Sequence, residues 1–395
     1  MNTTFIVIGL SDCREQFFSP YVKTLIQQGK VFSGGRRHFE IVSSLLPEGF
    51  QWIDIVVPLQ SSLEAYKAHK QVVVFASGDP LFFGFATTLQ REFPQSEIKV
   101  YPYFNSLQSL AHQLTMPYHE MHMVSLTGRP WNLFDKALID GEQLIGVLTD
   151  KKHTPVTIAE RMLRYGYDNY VMYVGECLGN ETEERISKLS LEEATQLTDL
   201  RHPNCLILQR TYARKRYFGI PDNEFYLLNG RAKMITKMPI RLLTLNVLDL
   251  TERKVFWDVG FCTGSVSIEA KLHFPHLDIH SFEIREEGDE LMKRNAEKFG
   301  AVGIQHYIGD FLLADVENLP RPDAVFIGGH GNKLYEILEK INQYLQPGGI
   351  IVFNSVSENS LNEFRESIRH IGKEIQSSVQ ITIDSFNKIE ILKAQ

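Results

Sequence analysis

The stretch Lys254–Ala270 (KVFWDVGFCTGSVSIEA) concentrates residue types that can hold a nucleotide. Apolar Val255, Phe256 and Trp257 lead to an acid, Asp258, and then to Gly260-Phe261-Cys262-Thr263-Gly264. Beyond the glycines, apolar residues recur at helical spacing, Val266 with Ala270 and Ile268 with Leu272. A strand, a glycine-bearing turn and a new helix let the backbone approach a ligand and offer it unpaired N–H groups. Two further acids follow at strand ends. Glu283 ends the strand expected over 277–282, about 20 residues past the turn, where a carboxylate can accept from ribose hydroxyls. Asp310 follows Gly309 after a run near 304–308, where it can face an adenine amine or a ribose. Taken singly, Asp258 reads equally well as a cap and Glu283 as a solvated strand end. Their order on successive strands favours a ligand cleft. Cys262 reads as a small-residue filler, and His330 lies among glycines (Gly328-Gly329-His330-Gly331) beside that cleft.

Helices and strands that would bring these residues together are legible around them. Leu291, Met292, Ala296 and Phe299 form a helical stripe that Gly300 stops. Asp323–Ile327 is a fourth strand, and Leu334, Ile337, Leu338, Ile341 and Leu345 make a helix ending at Pro347-Gly348-Gly349. Ile350–Phe353 is a fifth strand, and 379–383 with 389–392 flank a Ser385-Phe386-Asn387 turn as a hairpin. Parallel α/β units followed by a terminal hairpin suggest a class I methyltransferase using S-adenosylmethionine more than an NAD dehydrogenase.

At 395 residues the chain exceeds one ordinary domain, and 43% hydrophobic residues supply ample core. A net charge of −7 argues against a general nucleic-acid binder. Cys13, Cys177, Cys205 and Cys262 are far apart and form no CxxC pair, which fits a reducing cytoplasm and no zinc site. The N-terminus enters a strand directly, with no pattern of a signal peptide or membrane span.

The first half reads as two small α/β units with a cleft expected between them. Phe5–Leu10 is its first strand, and Phe32-Ser33-Gly34-Gly35 is a glycine turn ahead of Arg36, Arg37 and His38. Val72–Ala76 is an apolar run of buried-strand type that enters Ser77-Gly78-Asp79-Pro80, better read as a ligand loop than as an ordinary turn. Ser106 reads as a helix N-cap ahead of Leu107, Leu110 and Ala111, its backbone facing a cofactor. Further strands are expected at 124–126, 144–148, 170–174 and 205–208, with Glu176-Cys177-Leu178-Gly179 in a loop. Thr154 caps a helix with Pro155 at its first position. Basic residues 210–216 read as a linker, placing the domain boundary near 212.

The two halves together resemble fused enzymes of cobalamin biosynthesis, the decarboxylating precorrin-6Y methyltransferases. The first half is similar to CbiE-type tetrapyrrole methylases through Ile8-Gly9-Leu10, Gly34-Gly35-Arg36-Arg37-His38, residues 76–84 (ASGDPLFFG), Ser125-Leu126-Thr127-Gly128-Arg129, Leu148-Thr149-Asp150 and Glu176-Cys177-Leu178-Gly179. The second half is similar to CbiT-type proteins through Gly219-Ile220-Pro221-Asp222, Ile235-Thr236-Lys237, Trp257-Asp258-Val259-Gly260, residues 263–270 (TGSVSIEA) and Phe326-Ile327-Gly328-Gly329. Both motif sets in this order cover nearly the whole chain. One departure is that the family's glycine turn usually has Gly where Cys262 stands, with a small residue at Phe261.

The resemblance implies a class III tetrapyrrole-methylase fold of two α/β subdomains over 1–211 and a class I Rossmann-like methyltransferase over 212–395. It further implies methyl transfer from S-adenosylmethionine to positions 5 (first half) and 15 (second half) of a precorrin, with decarboxylation of the ring C acetate by the second half. Cofactor roles carry over to Gly78, Asp79 and Ser106 in the first half, and to Thr236, Gly260, Thr263, Gly264, Glu283 and Asp310 in the second. Candidate cations for the substrate's carboxylates are Arg36, Arg37, His38, Arg129, Lys151 and Lys152, then Lys237, Arg241 and His330. Lys237 and His330 are also the catalytic candidates. The second family implies a homo-oligomer, its members forming tetramers. An RNA methyltransferase is one rival, disfavoured by the acidic chain and by Gly-Gly-His-Gly where an Asn-Pro-Pro-Tyr-type motif is expected. A non-catalytic tetrapyrrole binder is another, disfavoured by the intact Gly78-Asp79-Pro80 and the spacing of Glu283.

Overall fold

The computed structural model describes residues 2–13, 15–231, 234–383 and 388–395. Its contacts group into two compact units. One comprises Met1–Arg129, Gln143–Glu160 and Tyr170–Thr211; the other comprises Pro130–Glu142, Arg161–Asn169 and Tyr212–Gln395. Among the described residues, no helix is long and apolar enough to cross a membrane.

The first unit contains two sheets. Strands β1 (Thr4–Leu10), β2 (Val31–Gly34), β3 (Gln51–Asp54), β4 (Gln71–Ser77) and β5 (Ile98–Tyr101) form one in the order β3-β2-β4-β1-β5. All its neighbours are parallel. Side chains alternate across it: Phe5 and Val7 pack on one face, Ile6 and Ile8 on the other. Strands β6 (His122–Ser125), β7 (Leu144–Leu148), β8 (Tyr170–Glu176), β9 (Arg185–Leu189) and β10 (Asn204–Arg210) form the other, ordered β6-β7-β10-β8-β9. Only β6 and β7 pair in parallel there.

The second unit is built on β11 (Val255–Val259), β12 (Asp278–Glu283), β13 (Gln305–Ile308), β14 (Ala324–Ile327), β15 (Ile350–Ser355), β16 (Ile375–Ile381) and β17 (Ile389–Ala394). The order β13-β12-β11-β14-β15-β17-β16 is parallel through β15 and antiparallel beyond it. Val255, Trp257 and Val259 enter one core, while Phe256 enters the core on the opposite face. The hairpin pairing of β16 with β17 is present; its expected turn, Ser385-Phe386-Asn387, lies outside the described residues.

Two local readings are corrected. The cap of the helix Ser106–Gln113 is Asn105, whose side chain accepts from Gln108 N–H at 2.9 Å while Gln108 Oε1 accepts from Asn105 N–H at 3.0 Å. A capping box of this kind satisfies two orphan groups at once, which Ser106 one position later does not. Glu176 is the last residue of β8 rather than a loop residue, buried and held by Arg185.

Candidate active sites

In both parallel sheets, glycine loops leave adjacent strands at their C-terminal edge, the place where open α/β sheets bind ligands. Leu10 and Ser77 are register partners at the ends of β1 and β4. The loop leaving β4 is stitched down by Gly78 N–H to Leu10 O (2.8 Å) and Tyr103 N–H to Gly78 O (3.1 Å). Gly78 has φ +58°, and a Cβ there would lie 2.9 Å from Asn105 Cα. Asp79 Oδ1 accepts from Leu81 N–H at 2.9 Å, tightening the turn over Pro80.

This edge opens on a cleft of about 750 Å³ within the first unit. Of the expected residues, Gly78, Ser106, Arg37 and His38 stand on its wall, and Ser77, Phe82, Phe83 and Tyr103 join them. Asp79, Arg36, Arg129, Lys151 and Lys152 are not on that wall. Arg36 is exposed and pairs with Glu40. Arg129 donates to Ser125 Oγ at 2.8 Å and lies over the Phe83 ring. Lys151 and Lys152 are exposed on a loop whose organiser is Asp150. That carboxylate, held well below its usual range, accepts from Gly128, Lys152 and His153 N–H. The expectation that His38 is a cation is corrected. Burial, with the Arg37 guanidinium alongside, pulls its pKa down to about 4, so the ring is neutral near pH 7.

The second cleft, of about 420 Å³, sits where β11 and β14 end side by side. Gly260 N–H donates to Phe282 O and Gly328 N–H to Val259 O, each at 2.8 Å. Gly260 has φ +80°, and a Cβ would meet Gly329 N and O at 2.5 Å, so only glycine lets the two loops touch. Thr236, Lys237, Gly260 and Thr263 stand on the wall with Asp258, Arg285 and Asn354.

Asp258 is fully buried. Its Oδ2 accepts from Ser267 Oγ at 2.5 Å, and Ser267 Oγ lies 2.8 Å from Ser281 Oγ. Among the described residues its Oδ1 has no partner, nor has Thr263 Oγ1. Burial pushes the carboxyl up to about 7; the Ser267 bond opposes this and the nearby Glu283 adds to it. Two orphaned buried acceptors on a glycine-floored wall fit the polar end of an amino-acid-bearing nucleoside such as S-adenosylmethionine.

Glu283, Gly264, Asp310, Arg241 and His330 are not on this wall. Glu283 lies behind the glycine turn, accepting from Cys262 N–H (2.8 Å), Arg285 N–H (3.0 Å) and Arg285 Nη1 (3.0 Å). Asp310 is held below its usual range by Lys333, 2.8 Å away, and by Leu312 N–H. His330 packs its ring on Phe353, and among the described residues Nδ1 has no partner.

Arg241 requires correction as a substrate cation. It is fully buried, with Nε on Glu269 (2.6 Å), Nη1 on Asp222 (2.8 Å) and Thr236 O (2.5 Å), and Nη2 on Ile220 O. Its helical spacing gave no sign that a buried carboxylate waited opposite. Ser77 and Asn354 had gone unassigned, and the signal that finds them is position: each stands at or next to the C-terminal end of a strand at the ligand edge.

Residues 7–195 match the family model of tetrapyrrole (corrin/porphyrin) methylases, and residues 228–390 match that of the precorrin methyltransferase domain. A precorrin-6Y C(5,15)-methyltransferase [decarboxylating] from Sinorhizobium sp is 31% identical over 356 residues, 89% of this chain and 84% of that protein. A cobalt-precorrin-6B C(15)-methyltransferase (decarboxylating) from Salmonella typhimurium is 32% identical over 162 residues, 41% of this chain and 83% of that protein. Among solved structures, a precorrin-6Y C5,15-methyltransferase from Geobacter metallireducens GS-15 is 32% identical, covering 45% of this chain and 96% of that one, with a TM-score of 0.41. Two matched domain types in one chain, and similarity that runs nearly end to end with the Sinorhizobium protein, carry one conclusion: the chain belongs to the decarboxylating precorrin-6Y C(5,15)-methyltransferase family.

Proposed function

We propose that the chain holds two methyl-transfer sites, one in each unit, serving the same precorrin. The enzyme methylates its substrate at positions 5 and 15 and decarboxylates it, in cobalamin biosynthesis, with S-adenosylmethionine as methyl donor. In this reading residues 1–211 act at position 5, and residues 212–395 act at position 15 and on the ring C acetate. It is read as a cytoplasmic homo-oligomer, associating as a tetramer through the C-terminal domain and acting on no nucleic acid.

When bound, the donor supplies a methyl group on a sulfonium, which an electron-rich ring carbon takes in line. The protein needs no nucleophile for this; it supplies alignment and a dry cleft. In the second cleft, Asp258 Oδ1 and Thr263 Oγ1 are placed to accept from the donor's polar end, and Gly260 brings backbone against it. Lys237, on the wall and 3.5 Å from Asp222, is the cation assigned to the acetate side chain, which loses its carboxyl carbon as carbon dioxide and, on taking up a proton, keeps a methyl group. In the first cleft, Gly78 and the start of the helix at Ser106 serve the donor, while Arg37 and His38 stand on the same wall.

The observation that supports two sites is that each unit has its own cleft floored by a left-handed glycine between adjacent strand ends. Calorimetric titration of the full chain with S-adenosylhomocysteine tests it. Two equivalents are expected, with Gly78→Ala and Gly260→Ala each weakening one of them and slowing one of the two methylations by mass spectrometry. One equivalent for the unaltered chain ends the reading.

A further inference from the structure

The wall of the first cleft carries a polar cluster, Asp12, Arg37, His38 and Ser77, whose hydrogen-bond roles determine every proton but one. Gly35 N–H can only donate, and it donates to His38 Nδ1 at 3.2 Å. Nδ1 therefore presents its lone pair, and the neutral ring carries its single proton on Nε2. Nε2 is 2.9 Å from Ser77 Oγ, so it donates there. Arg37 has donors alone; its Nη2 donates to the same oxygen at 2.8 Å while Nη1 rests 3.2 Å from Asp12 Oδ1. A hydroxyl oxygen has two lone pairs, and both are now taken. Ser77 is exposed at the end of β4, and among the described residues no protein acceptor takes its own proton.

We infer that Ser77 is a directed hydrogen-bond donor in the first cleft, aimed by Arg37 and His38 at a ligand carboxylate. Two donors on Oγ, one of them a cation, polarise the O–H bond and make it a stronger donor. Such a donor is matched best by an ionised acceptor. Asp12 offsets the guanidinium charge and fixes its orientation, so the hydroxyl rather than the ion pair meets the ligand. Arg37 and His38 thereby become positioning residues instead of direct substrate cations. Carboxylates reach this cleft from two sources, the methionine part of the donor and the precorrin side chains. The inference rests on the first cleft being a methyl-transfer site.

The test uses the full chain with Ser77→Ala, Ser77→Thr and His38→Phe. Affinities for S-adenosylhomocysteine and for precorrin-6Y are measured by binding, alongside kcat and KM for each methylation. Ser77→Ala is expected to weaken one ligand by about tenfold to a hundredfold, the range for a hydrogen bond to a charged group. Ser77→Thr should restore most of that loss. His38→Phe should give a smaller one, because the freed lone pair lets the hydroxyl turn away. Loss confined to S-adenosylhomocysteine identifies the donor's carboxylate, and loss confined to precorrin identifies the substrate's. Nitrogen-15 NMR should show His38 protonated on Nε2 at pH 7. Unchanged affinity for both ligands in Ser77→Ala, or a proton on Nδ1, overturns the inference. An unaltered chain that binds but transfers no methyl at position 5 overturns the functional reading instead, and the binding data still decide the role of Ser77.

Discussion

The two clefts share a plan and differ in where they keep their charge. Each opens where adjacent parallel strands end, and each is floored by a glycine with positive φ. In the second, Asp258 and Glu283 are buried beneath the turn, one with an open acceptor and one bracing the Cys262 and Arg285 backbone. In the first, acids work at the rim: Asp12 on Arg37, Asp79 on its own turn, and Glu184 on Gly179 N–H. On the proposed reading a ligand is held by buried charge in the second cleft, and by backbone and an aimed hydroxyl in the first. The buried-charge arrangement should be sensitive to pH and to charge removal; the other should be sensitive to loss of the Ser77 hydroxyl.

The hardest way to break this contrast is Arg241→Leu. It strands Glu269, whose side chain is 1% exposed, without its cation. Removing one partner of a buried pair costs about 3–5 kcal/mol. A large fall in the unfolding midpoint of the second unit is expected, with methylation at position 5 by the still-folded fraction unaffected. A variant that stays stable but has a KM for precorrin raised tenfold would restore Arg241 as a substrate cation.

Next in size are the two glycines. An added Cβ at Gly260 meets backbone N and O at 2.5 Å, whereas at Gly78 the nearest atom is a Cα at 2.9 Å. Forced left-handed strain costs about 1–3 kcal/mol, and the closer clash belongs at the upper end. Gly260→Ala should cost about a hundredfold in donor affinity at the second cleft, and Gly78→Ala about tenfold at the first. Equal losses, measured by titration, would say that shape matters no more in one cleft than in the other.

How far the sequence could be read follows the same divide. The second cleft is made at one sheet's edge from strand–turn–helix units, so the order Asp258, Gly260, Glu283, Asp310 along the chain already implies the parallel sheet. The first cleft gathers residues between Leu10 and Cys205 from two sheets, and local pattern does not reveal which of them meet. The short strands β2, β3, β5 and β9 went unread because four or five mixed residues carry too little alternation. Charge was the least legible property. Arg241 and His38 look like any surface cations until the buried Glu269 and the Gly35 N–H are seen opposite them.

A smaller effect tests the buried charge itself. The carboxyl of Asp258 is raised to about 7, against an ordinary value of about 3.9. The folded state therefore holds a proton that the unfolded chain has already lost. Its contribution to stability is complete below pH 4 or so and disappears as pH rises through 7. Asp258→Asn has no such titration, so the midpoint of the unaltered protein relative to the variant should fall between pH 5 and pH 8. A constant difference in thermal denaturation across that range would mean that Asp258 is already ionised at the lower pH.

The smallest effect is expected at the residue that departs from the family pattern. Cys262 holds φ +52°, and its Sγ lies 3.2 Å from Met234 O. Cys262→Gly removes left-handed strain of about 1–2 kcal/mol. It also gives the unfolded chain more freedom, worth about 0.5–1 kcal/mol in the opposite direction, and forfeits the weak sulfur contact. The two changes nearly cancel, so stability should move by less than about 1 kcal/mol. The Cys262 N–H bond to Glu283 belongs to the backbone and survives the substitution, so the turn keeps its brace. Affinity for S-adenosylhomocysteine at the second cleft should accordingly stay within about threefold, under 1 kcal/mol. A tenfold gain would mean that the thiol narrows the cavity.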